Sequence, residues 1–354
     1  MKKVNKKVLI ITPTFGNNGI TKVILSIVEN IKDISFSIAA CSIDDSLLDI
    51  GVDYIKLPNQ ESVAQYFKAI KKEVRDGDYD TVYIHANSAL MIVESMACKF
   101  ARKCKVITHC HNSSTIHPIG HRLVKPFLNI FVDEKVGCCK FSSKWAYTGN
   151  KNITIKNGID VDEYKFNTNV RKEKRDLLNV NDEEVLIGNF SRLSYQKNQR
   201  FLLEIFMEYL KLNAKAKLLL IDDEEMRDVI INKIEVLGIK DKVIIMKPED
   251  NMKDYYSALD IMIMPSLFEG LSLVALESQA NGLPLLISDH LTPETYLTKY
   301  AIKVSKDESA EHWANMINKT MSELIRGEDT QSQFESSSLT KRQMLEEIEN
   351  ILLD

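Results

Sequence analysis

In this chain, residues 261–281 read IMIMPSLFEGLSLVALESQAN, and this order of residue types predicts a strand, a tight turn and a helix. Four consecutive apolar residues predict a strand over 261–264, and apolar residues at helical spacing predict a helix over about 271–281. Glu269 then lies at the start of the helix, and Glu277 lies about two turns into it on nearly the same face. A strand that leads through a short turn into a helix is the repeating unit of a parallel α/β sheet.

The turn before this predicted helix is a candidate anion site. The backbone N–H groups of Gly270, Leu271 and Ser272 are expected to be free to bind a phosphate. A phosphate site with a carboxylate at each end suits a nucleotide sugar, with Glu277 on ribose hydroxyls and Glu269 on sugar hydroxyls. An ordinary amphipathic helix with surface glutamates explains the segment equally well when it is taken alone.

The same alternation of strand-like and helical segments runs through the whole chain, which predicts parallel sheets of β-α-β units. The predicted strands lie at 8–12, 36–41, 54–56, 81–85, 105–109, 135–138, 153–156, 185–190, 217–221, 243–246, 261–264 and 284–288. The predicted helices lie at 19–31, 61–75, 89–101, 123–131, 198–212, 225–237, 252–258, 271–281, 310–326 and 340–353. Ligands of such sheets bind at the carboxyl ends of the strands, so the functional residues are expected in the loops that follow them.

The length of 354 residues predicts two domains rather than one. A polar, highly charged stretch over 167–184 separates the two series of strands and suits a domain connection. We therefore predict a first Rossmann-like domain over 1–165, a second over 166–330 and a final helix in 331–354 that can pack back on the first domain. The strand ends of the two sheets are expected to face each other across a central cleft.

The composition predicts a cytoplasmic protein, because 27% of the residues are charged and no apolar run approaches the roughly 18 residues that cross a bilayer. The apolar run after the basic start is too short for a signal peptide. All six cysteines fall in the first half without a Cys-x-x-Cys pair, which is typical of reduced thiols.

The net charge is +6 over 1–165 and −10 over 166–354. A basic first domain suits an anionic membrane, although a solvated mixture of charges explains the asymmetry as well.

Two cations follow the first strand of the second series. Arg192 and Lys197 stand five residues apart, before a helix predicted to begin at about Asn198. Two fixed cations at the carboxyl end of a sheet suit a diphosphate, whose charge as a leaving group must be stabilised. Such a pair is a weak signal alone, but it shares its predicted sheet edge with the Glu269–Glu277 segment.

A glycine loop follows the first strand of the chain. Gly16 and Gly19 precede a predicted helix and offer backbone N–H groups to a phosphate or a sugar. Their spacing differs from the G-x-G-x-x-G fingerprint of dinucleotide sites, which argues against an NAD-dependent oxidoreductase.

Histidines follow two further strands of the first series. His85 ends one predicted strand, and His109 and His111 end the next. A metal site is one reading, but no acidic ligand is near in sequence, and hydrogen bonding to a sugar hydroxyl is the favoured role. His117 and His121 lie in the long loop that follows and are expected to face solvent.

Together these segments resemble the retaining glycosyltransferases of family 4, which have the GT-B architecture of two Rossmann-like domains. The resemblance runs from about residue 7 to about 320 and is strongest to the branch that builds bacterial capsular polysaccharide, exopolysaccharide or lipopolysaccharide. The segments that carry it are Asn18-Gly19-Ile-Thr-Lys-Val-Ile, His85-Ala-Asn87, His109-Cys-His111-Asn, Asn157-Gly-Ile-Asp160 with Phe166, Gly188 to Asn198, Pro265 to Glu277, and Gly282-Leu-Pro284.

The resemblance implies transfer of a hexosyl or N-acetylhexosaminyl group from a nucleoside diphosphate donor to an acceptor hydroxyl, with retained anomeric configuration and no metal or other cofactor. A UDP-sugar is the expected donor, with a GDP-sugar as the alternative. Retention in such enzymes is pictured as front-face attack, in which the departing phosphate rather than a carboxylate takes the acceptor proton.

The resemblance also assigns roles to residues of the second domain. Arg192 and Lys197 would hold the diphosphate and stabilise its departure. Glu277 would hold the ribose. Glu269, with the N–H groups of the adjoining Gly270–Ser272 turn, would hold the donor sugar and the β-phosphate.

In the first domain, the resemblance assigns donor-side roles to Gly19, which would let its loop approach the donor, and to Asn157. His111 would face the donor sugar, with His109 as a second candidate. His85 and His109 are also the candidates for the acceptor side.

The leading hypothesis is a glycosyltransferase that acts at the inner face of the cytoplasmic membrane on a glycan or lipid-linked acceptor, with no nucleic-acid partner. Basic residues are hypothesised to assist peripheral docking on the membrane, namely Lys2, Lys3, Lys6, Lys7, Lys99, Arg102, Lys103 and Lys105.

A second hypothesis is a degenerate GT-B subunit that binds or stabilises an active partner glycosyltransferase. It is motivated by altered loops: Asp222–Glu225 stands where the family has Gly-Asp-Gly-Glu, and Lys247 and Asn18 stand where glycine is common. Glycine is the residue that most easily brings backbone close to a nucleotide. A GT-B epimerase or phosphorylase would use the same cations.

Overall fold

The computed structural model describes residues 6–221, 226–248 and 251–354, and within them the chain divides into two compact units. The first unit comprises the residues up to Gly158 together with Lys341–Asp354, and the second comprises Ile159–Thr340. Asp222–Glu225, whose altered glycine loop helped to motivate the second hypothesis, and Lys2 and Lys3 lie outside the described residues.

The first unit is a seven-stranded, all-parallel sheet with interleaved helices. Its strands are β1 Lys6–Phe15, β2 Ile34–Ile43, β3 Asp53–Lys56, β4 Thr81–Ala86, β5 Lys105–Cys110, β6 Glu134–Gly137 and β7 Ile153–Thr154. Its helices are α1 Gly19–Asn30, α2 Val63–Asp76, α3 Ile92–Ala101, α4 Pro118–Leu128 and α5 Lys140–Ala146. The strand order is β3-β2-β1-β4-β5-β6-β7, so the direction of winding reverses between β1 and β4.

The second unit is a six-stranded sheet, also parallel. Its strands are β8 Leu186–Asn189, β9 Lys217–Ile221, β10 Val243–Met246, β11 Ile261–Met264, β12 Leu285–Ser288 and β13 Ala301–Val304. Its helices are α6 Thr168–Leu177, α7 Gln199–Leu212, α8 Arg227–Val236, α9 Met252–Ala258, α10 Leu273–Ala280, α11 Ala310–Glu323 and α12 Gln331–Ser336. The strand order is β10-β9-β8-β11-β12-β13, and the winding reverses between β8 and β11.

Both faces of the second sheet are covered, which explains the continuous apolar composition of its strands. On one face Phe206 of α7 and Trp313 of α11 pack with alternate strand residues such as Ile263. On the other face Tyr256 of α9 and Ala275 of α10 pack with Met264. The predicted two-domain α/β architecture is confirmed, and so are the positions of most strands.

The last helix, α13 Lys341–Leu353, belongs to the first unit. It buries Met344, Ile348 and Leu352, whose four-residue spacing places them on one helix face. Lys105 Nζ donates to the Ile351 carbonyl at 2.9 Å. The predicted return of the C-terminal helix to the first domain is confirmed.

The chain enters the second unit earlier than the sequence predicted. Ile159 N–H donates to the Leu339 carbonyl at 3.0 Å, and Ile159 pairs with Thr340 in a parallel bridge, so the unit begins at residue 159 rather than 166. Its end also lies beyond 330, because α12 belongs to it.

All six cysteines are free thiols.

Candidate active site

The second unit brings Arg192, Lys197 and Glu269 to the point where its winding reverses. Arg192 and Lys197 follow β8, and Glu269 follows β11. Because β8 and β11 are hydrogen-bonded neighbours whose connections run in opposite directions, the loops after them leave a crevice at their carboxyl ends. That crevice is where open α/β sheets bind ligands.

Gln196 joins the loop after β8 to the loop after β11. Its carbonyl accepts from Leu267 N–H at 2.8 Å, and its Nε2 donates to the Phe268 carbonyl at 2.8 Å and to Glu269 Oε2 at 3.1 Å. Asn198 adds a third link, from Nδ2 to the Pro265 carbonyl at 3.2 Å. Both loops are therefore held in place by side-chain amides that sequence reasoning had not singled out.

Asn198 also sets the direction in which α7 leaves the site. Its φ of +56° is left-handed, a conformation that asparagine tolerates better than most residues. The helix predicted to start at about Asn198 begins one residue later, at Gln199. Lys197 therefore lies in a tight turn and not on the helix.

Lys197 and Glu269 form an ion pair. The Nζ–Oε1 distance is 2.5 Å, and the two side chains are 16% and 6% exposed. A pair this shielded from water interacts more strongly than one at the surface. The sequence assigned the lysine to a diphosphate and the carboxylate to a sugar, whereas the structure pairs the two groups with each other.

Arg192 presents a second cation beside this pair. Arg192 is exposed. Among the described residues, 6–221, 226–248 and 251–354, its guanidinium has no hydrogen-bond or ion-pair partner. Its backbone is fixed, because Gln199 Nε2 donates to its carbonyl at 2.7 Å. An exposed guanidinium on a backbone held by this hydrogen bond suits bidentate binding of phosphate oxygens.

The turn predicted to bind phosphate precedes α10. The helix begins at Leu273, and Ser272 is its N-cap residue, in an extended conformation and without a side-chain cap. The first-turn N–H groups of a helix lack intrahelical acceptors and carry partial positive charge. Leu271 and Ser272 are 3% and 8% exposed. The assignment of Gly270, Leu271 and Ser272 to phosphate stays a prediction.

Glu277 is 1% exposed and is held by two phenols. Tyr164 donates to Oε1 at 3.0 Å, and Tyr256 donates to Oε2. Burial, and then the Glu277 charge, raises the pKa of both phenols, so both remain donors. No pattern in the sequence points to the two tyrosines. If Glu277 binds ribose hydroxyls, those hydroxyls must replace or share these hydrogen bonds.

In the first unit, Gly19 begins α1 next to the reversal point between β1 and β4. Asn18 Oδ1 accepts from Thr21 N–H at 2.9 Å, and Thr21 Oγ1 accepts from Gly16 N–H at 3.1 Å. The turn is thus closed by its own polar side chains. Gly19 is exposed at its tip, where the predicted approach to a donor is sterically open.

The three histidines of the first unit form one cluster. His85 and His109 are paired on neighbouring strands and are both fully buried, whereas His111 is half-buried. His85 Nδ1 lies 2.9 Å from His111 Nε2, and the two rings are nearly coplanar, with 14° between their planes. Tyr83 OH lies 2.7 Å from His109 Nδ1.

Burial lowers the pKa of all three imidazoles, and it lowers the pKa of His111 to about 3. The cluster is therefore neutral near pH 7 and acts through hydrogen bonds. Of the three, His111 alone has an accessible surface from which it could reach a sugar. The acceptor-side roles of His85 and His109 stay predictions that require these buried rings to become accessible.

One ligand atom from each imidazole lies within 4.8 Å of the others, as a metal site would require. However, the near-coplanar contact between His85 and His111 is the geometry of an N–H···N hydrogen bond, which occupies one nitrogen of each ring. This geometry favours a hydrogen-bonded pair over a ligand set.

The remaining predicted positions differ in their surroundings. Asn157 is 5% exposed and lies at the end of the first unit, and its donor-binding role stays a prediction. Lys247 is exposed just after β10.

His117 faces solvent as expected, but the same prediction for His121 is wrong. His121 is 1% exposed, because its ring stacks on Trp145 in a segment that is helical rather than a loop.

Residues 170–336 match the protein family described as "Glycosyl transferases group 1". Two relatives among characterised and catalogued proteins are similar over a longer stretch. The putative glycosyltransferase EpsF of Bacillus subtilis (strain 168) is 22% identical over 71% of this chain and 69% of that protein. The UDP-Gal:alpha-D-GlcNAc-diphosphoundecaprenol alpha-1,3-galactosyltransferase of Escherichia coli is 23% identical over 66% of this chain; the chain spans less than two thirds, 62%, of that relative.

The fold is similar to that of solved structures over nearly its full length. The crystal structure of Anabaena Alr3699/HepE in complex with UDP and glucose superposes with a TM-score of 0.80 and 18% identity, covering 99% of this chain and 100% of that chain. WaaG, described as a glycosyltransferase involved in lipopolysaccharide biosynthesis, superposes with a TM-score of 0.69 and 13% identity. At these identities the comparison establishes the fold, and the predicted GT-B architecture is confirmed.

Proposed function

We propose that this chain, which matches the group 1 glycosyl transferases over residues 170–336, transfers a sugar from a UDP-sugar to a glycan or lipid-linked acceptor in the synthesis of a cell-surface polysaccharide. The prediction of a glycosyltransferase is confirmed at the level of this family. Assignment to family 4, retention of configuration, the donor and the acceptor belong to the proposal.

The observation that carries the proposal is the Lys197–Glu269 pair at the reversal point of the second sheet, with Arg192 in the same loop as Lys197. In the reaction, the bond between the anomeric carbon and the β-phosphate oxygen breaks, and negative charge grows on the departing diphosphate. Arg192 and Lys197 stabilise that charge where it develops, which lowers the barrier. The acceptor hydroxyl forms the new bond on the same face and passes its proton to the departing phosphate.

The Lys197–Glu269 pair gives this step a further consequence. When a diphosphate binds, Lys197 exchanges part of its contact with Glu269 for a phosphate oxygen, and the carboxylate becomes available to a donor-sugar hydroxyl. The same two residues thus serve the phosphate and the sugar. Gln196 holds the Glu269 carboxylate in position during this exchange.

A UDP donor is proposed because the structurally similar Anabaena protein was solved in complex with UDP-glucose and because the Escherichia coli relative is named for UDP-Gal. The polysaccharide role is proposed from relatives named for O-antigen and amylovoran biosynthesis. No metal has a role in this proposal. No helix within the described ranges is both long and apolar enough to span a membrane, and action at the inner membrane face belongs to the proposal.

The test is a panel of nucleotide sugars with UDP and GDP as carriers, in which release of the nucleotide is measured with and without candidate acceptors. We expect release from one or a few UDP-sugars, and an α-linked product from an α-linked donor by NMR of the anomeric proton. Release of GDP alone would overturn the choice of donor, and an inverted product would overturn retention.

The degenerate-subunit hypothesis is the second candidate. It is favoured by contacts that the candidate site residues make within the protein. Lys197 is paired with Glu269, and Glu277 is held by Tyr164 and Tyr256. Calorimetry with UDP separates the two hypotheses. Binding in the micromolar range supports the enzyme, whereas no binding at millimolar UDP supports the subunit.

A further inference from the structure

Helix α4 in the first unit presents an apolar stripe to solvent. Ile119, Leu123 and Phe127 recur every four residues and are 75%, 67% and 57% exposed. The opposite face is buried, since His121 and Leu128 are 1% and 0% exposed. Four-residue spacing places side chains on one side of a helix, so the three exposed residues form a continuous stripe.

The stripe continues beyond the helix. Ile116 before α4 and Ile130 after it are 71% and 69% exposed, and Phe141 on α5 is 42% exposed. Lys125 Nζ donates to the Lys144 carbonyl at 2.7 Å, which joins α4 to α5. We call the six residues Ile116, Ile119, Leu123, Phe127, Ile130 and Phe141 the α4 surface. Contiguous exposed apolar residues of this kind mark interaction sites.

The outward orientation of this surface is fixed by contacts on the buried side. The His121 ring stacks on Trp145 with 3.8 Å between ring centroids and 9° between planes. His121 Nδ1 accepts from Ala89 N–H at 3.1 Å. Asn129 Nδ2 donates to the Thr148 carbonyl at 2.8 Å. Because His121 and Asn129 make these hydrogen bonds on the buried side, the helix cannot rotate its apolar side chains inward without losing them.

The sequence around the α4 surface is strongly basic. Residues 111–159 contain seven Lys and Arg against two Asp and Glu. Arg122 is exposed beside the stripe, and Lys140 and Lys144 are exposed on α5. A helix with an apolar face and flanking cations is typical of peptides that lie in the interface of an anionic bilayer.

Three of the basic residues that the sequence suggested for docking have other partners. Lys99 pairs with Asp133 at 2.5 Å, Arg102 pairs with Asp78, and Lys105 binds the carbonyl of a residue in α13. The basic residues near the α4 surface are therefore better placed to meet a membrane.

We propose that the α4 surface docks on an anionic lipid bilayer, with its apolar side chains in the headgroup boundary and Arg122, Lys140 and Lys144 near lipid phosphates. A second copy of this chain fits the surface less well, because an isologous contact would bring two basic surfaces together. The inference extends the membrane part of the proposed function. It does not depend on the donor or the acceptor.

The test is co-sedimentation of the full chain with vesicles, without nucleotide or acceptor. We expect binding to vesicles of phosphatidylglycerol and phosphatidylcholine, weaker binding to phosphatidylcholine alone, and loss of binding as salt rises from about 0.1 to about 1 M. Combined Ile119→Ser, Leu123→Ser and Phe127→Ser should lower binding to anionic vesicles about tenfold or more.

A matched control replaces exposed apolar residues of the second unit. Leu212, Val236 and Ile325 are 52%, 79% and 75% exposed, and their combined replacement by serine should leave vesicle binding unchanged. A charge variant, Arg122→Glu with Lys144→Glu, should lose the preference for anionic lipid. Nucleotide release with a water-soluble acceptor should be the same in all variants as in the wild type.

The proposal is overturned if the wild type does not bind anionic vesicles or if the α4 variant binds them as the wild type does. It is also overturned if light scattering shows a dimer that the α4 variant converts to a monomer, because the occupant is then a second copy. Loss of nucleotide release in every protein, with vesicle binding intact, would refute the proposed enzyme and leave the docking surface standing.

Discussion

Lys197 Nζ lies 2.5 Å from Glu269 Oε1, so the side chain proposed to stabilise the departing diphosphate is paired with the carboxylate proposed to hold the sugar. The two residues are 72 positions apart and meet because β8 and β11 are neighbours in the sheet. A ligand that carries both a diphosphate and a sugar can satisfy both partners as their contact is broken. This relationship makes the roles of the two residues separable by mutation.

Lys197→Ala should lower turnover by a factor on the order of 10² at saturating donor, because a cation that stabilises developing charge acts mainly in the transition state. The measurement is nucleotide release with the donor identified in the panel. Lys211→Ala is the matched control, since it removes an exposed lysine paired with Glu208 on the same helix, α7. Wild-type turnover in the Lys197 variant would refute the assigned role.

The same substitution should also destabilise the protein, by about 3–5 kcal/mol, because Glu269 would remain as a buried carboxylate without its cation. Adding Glu269→Gln removes that charge, so the double variant should recover much of the lost Tm and none of the lost turnover. Recovery of turnover together with Tm would show that Lys197 acts only on stability.

Glu277→Gln should weaken UDP binding about tenfold, because a neutral amide is a poorer acceptor for ribose hydroxyls than a carboxylate. Calorimetry with UDP measures the change. Tyr164→Phe is the comparison, because it removes only the phenol hydrogen bond to Oε1 of Glu277 and should leave UDP affinity equal to or higher than that of the wild type. Unchanged affinity in Glu277→Gln would remove Glu277 from the donor site.

The histidine cluster should make the protein less stable in acid. Burial lowers the pKa of His111 to about 3, whereas an unfolded histidine titrates near 6.5. Between these values the unfolded chain binds more protons, so this stability is fully present above about pH 6.5 and is lost as the pH falls toward 3.

The urea concentration at the midpoint of unfolding should therefore fall in the wild type as the pH is lowered from 7.5 to 5. It should fall less in His111→Gln. His117→Gln, at an exposed position, is the control and should keep the wild-type slope. A slope that is the same in His111→Gln as in the wild type would contradict the neutral, buried state of this ring.

Removal of divalent metal should leave turnover unchanged. The hydrogen bond between His85 and His111 already pairs one nitrogen of each ring, and the proposed charge stabilisation comes from Arg192 and Lys197 and not from a metal. The measurement is nucleotide release after dialysis against a chelator, with metal analysis of the purified protein. Activity that is lost with the chelator and restored by one added metal would make the histidine cluster a metal centre.

Sequence reasoning did well where local pattern is sufficient. The alternation of apolar strands and amphipathic helices located both sheets, and the residue types after β8 and β11 made Arg192, Lys197 and Glu269 candidates, of which Lys197 and Glu269 are in contact. It did less well between residues 112 and 131. There His121 was expected in solvent, but Trp145 buries its ring, and α4 begins at Pro118 rather than 123.

The sequence by itself determined the fold class, because helix and strand periodicity depends on neighbouring residues and every segment carries its own signal. The tertiary structure alone decided which side chains meet: Lys197 with Glu269, Glu277 with Tyr164 across 113 positions, and His121 with Trp145. These contacts depend on the order of strands in each sheet and on the surface that each helix covers. Periodicity is the same for every order of the strands, so it cannot specify the partners.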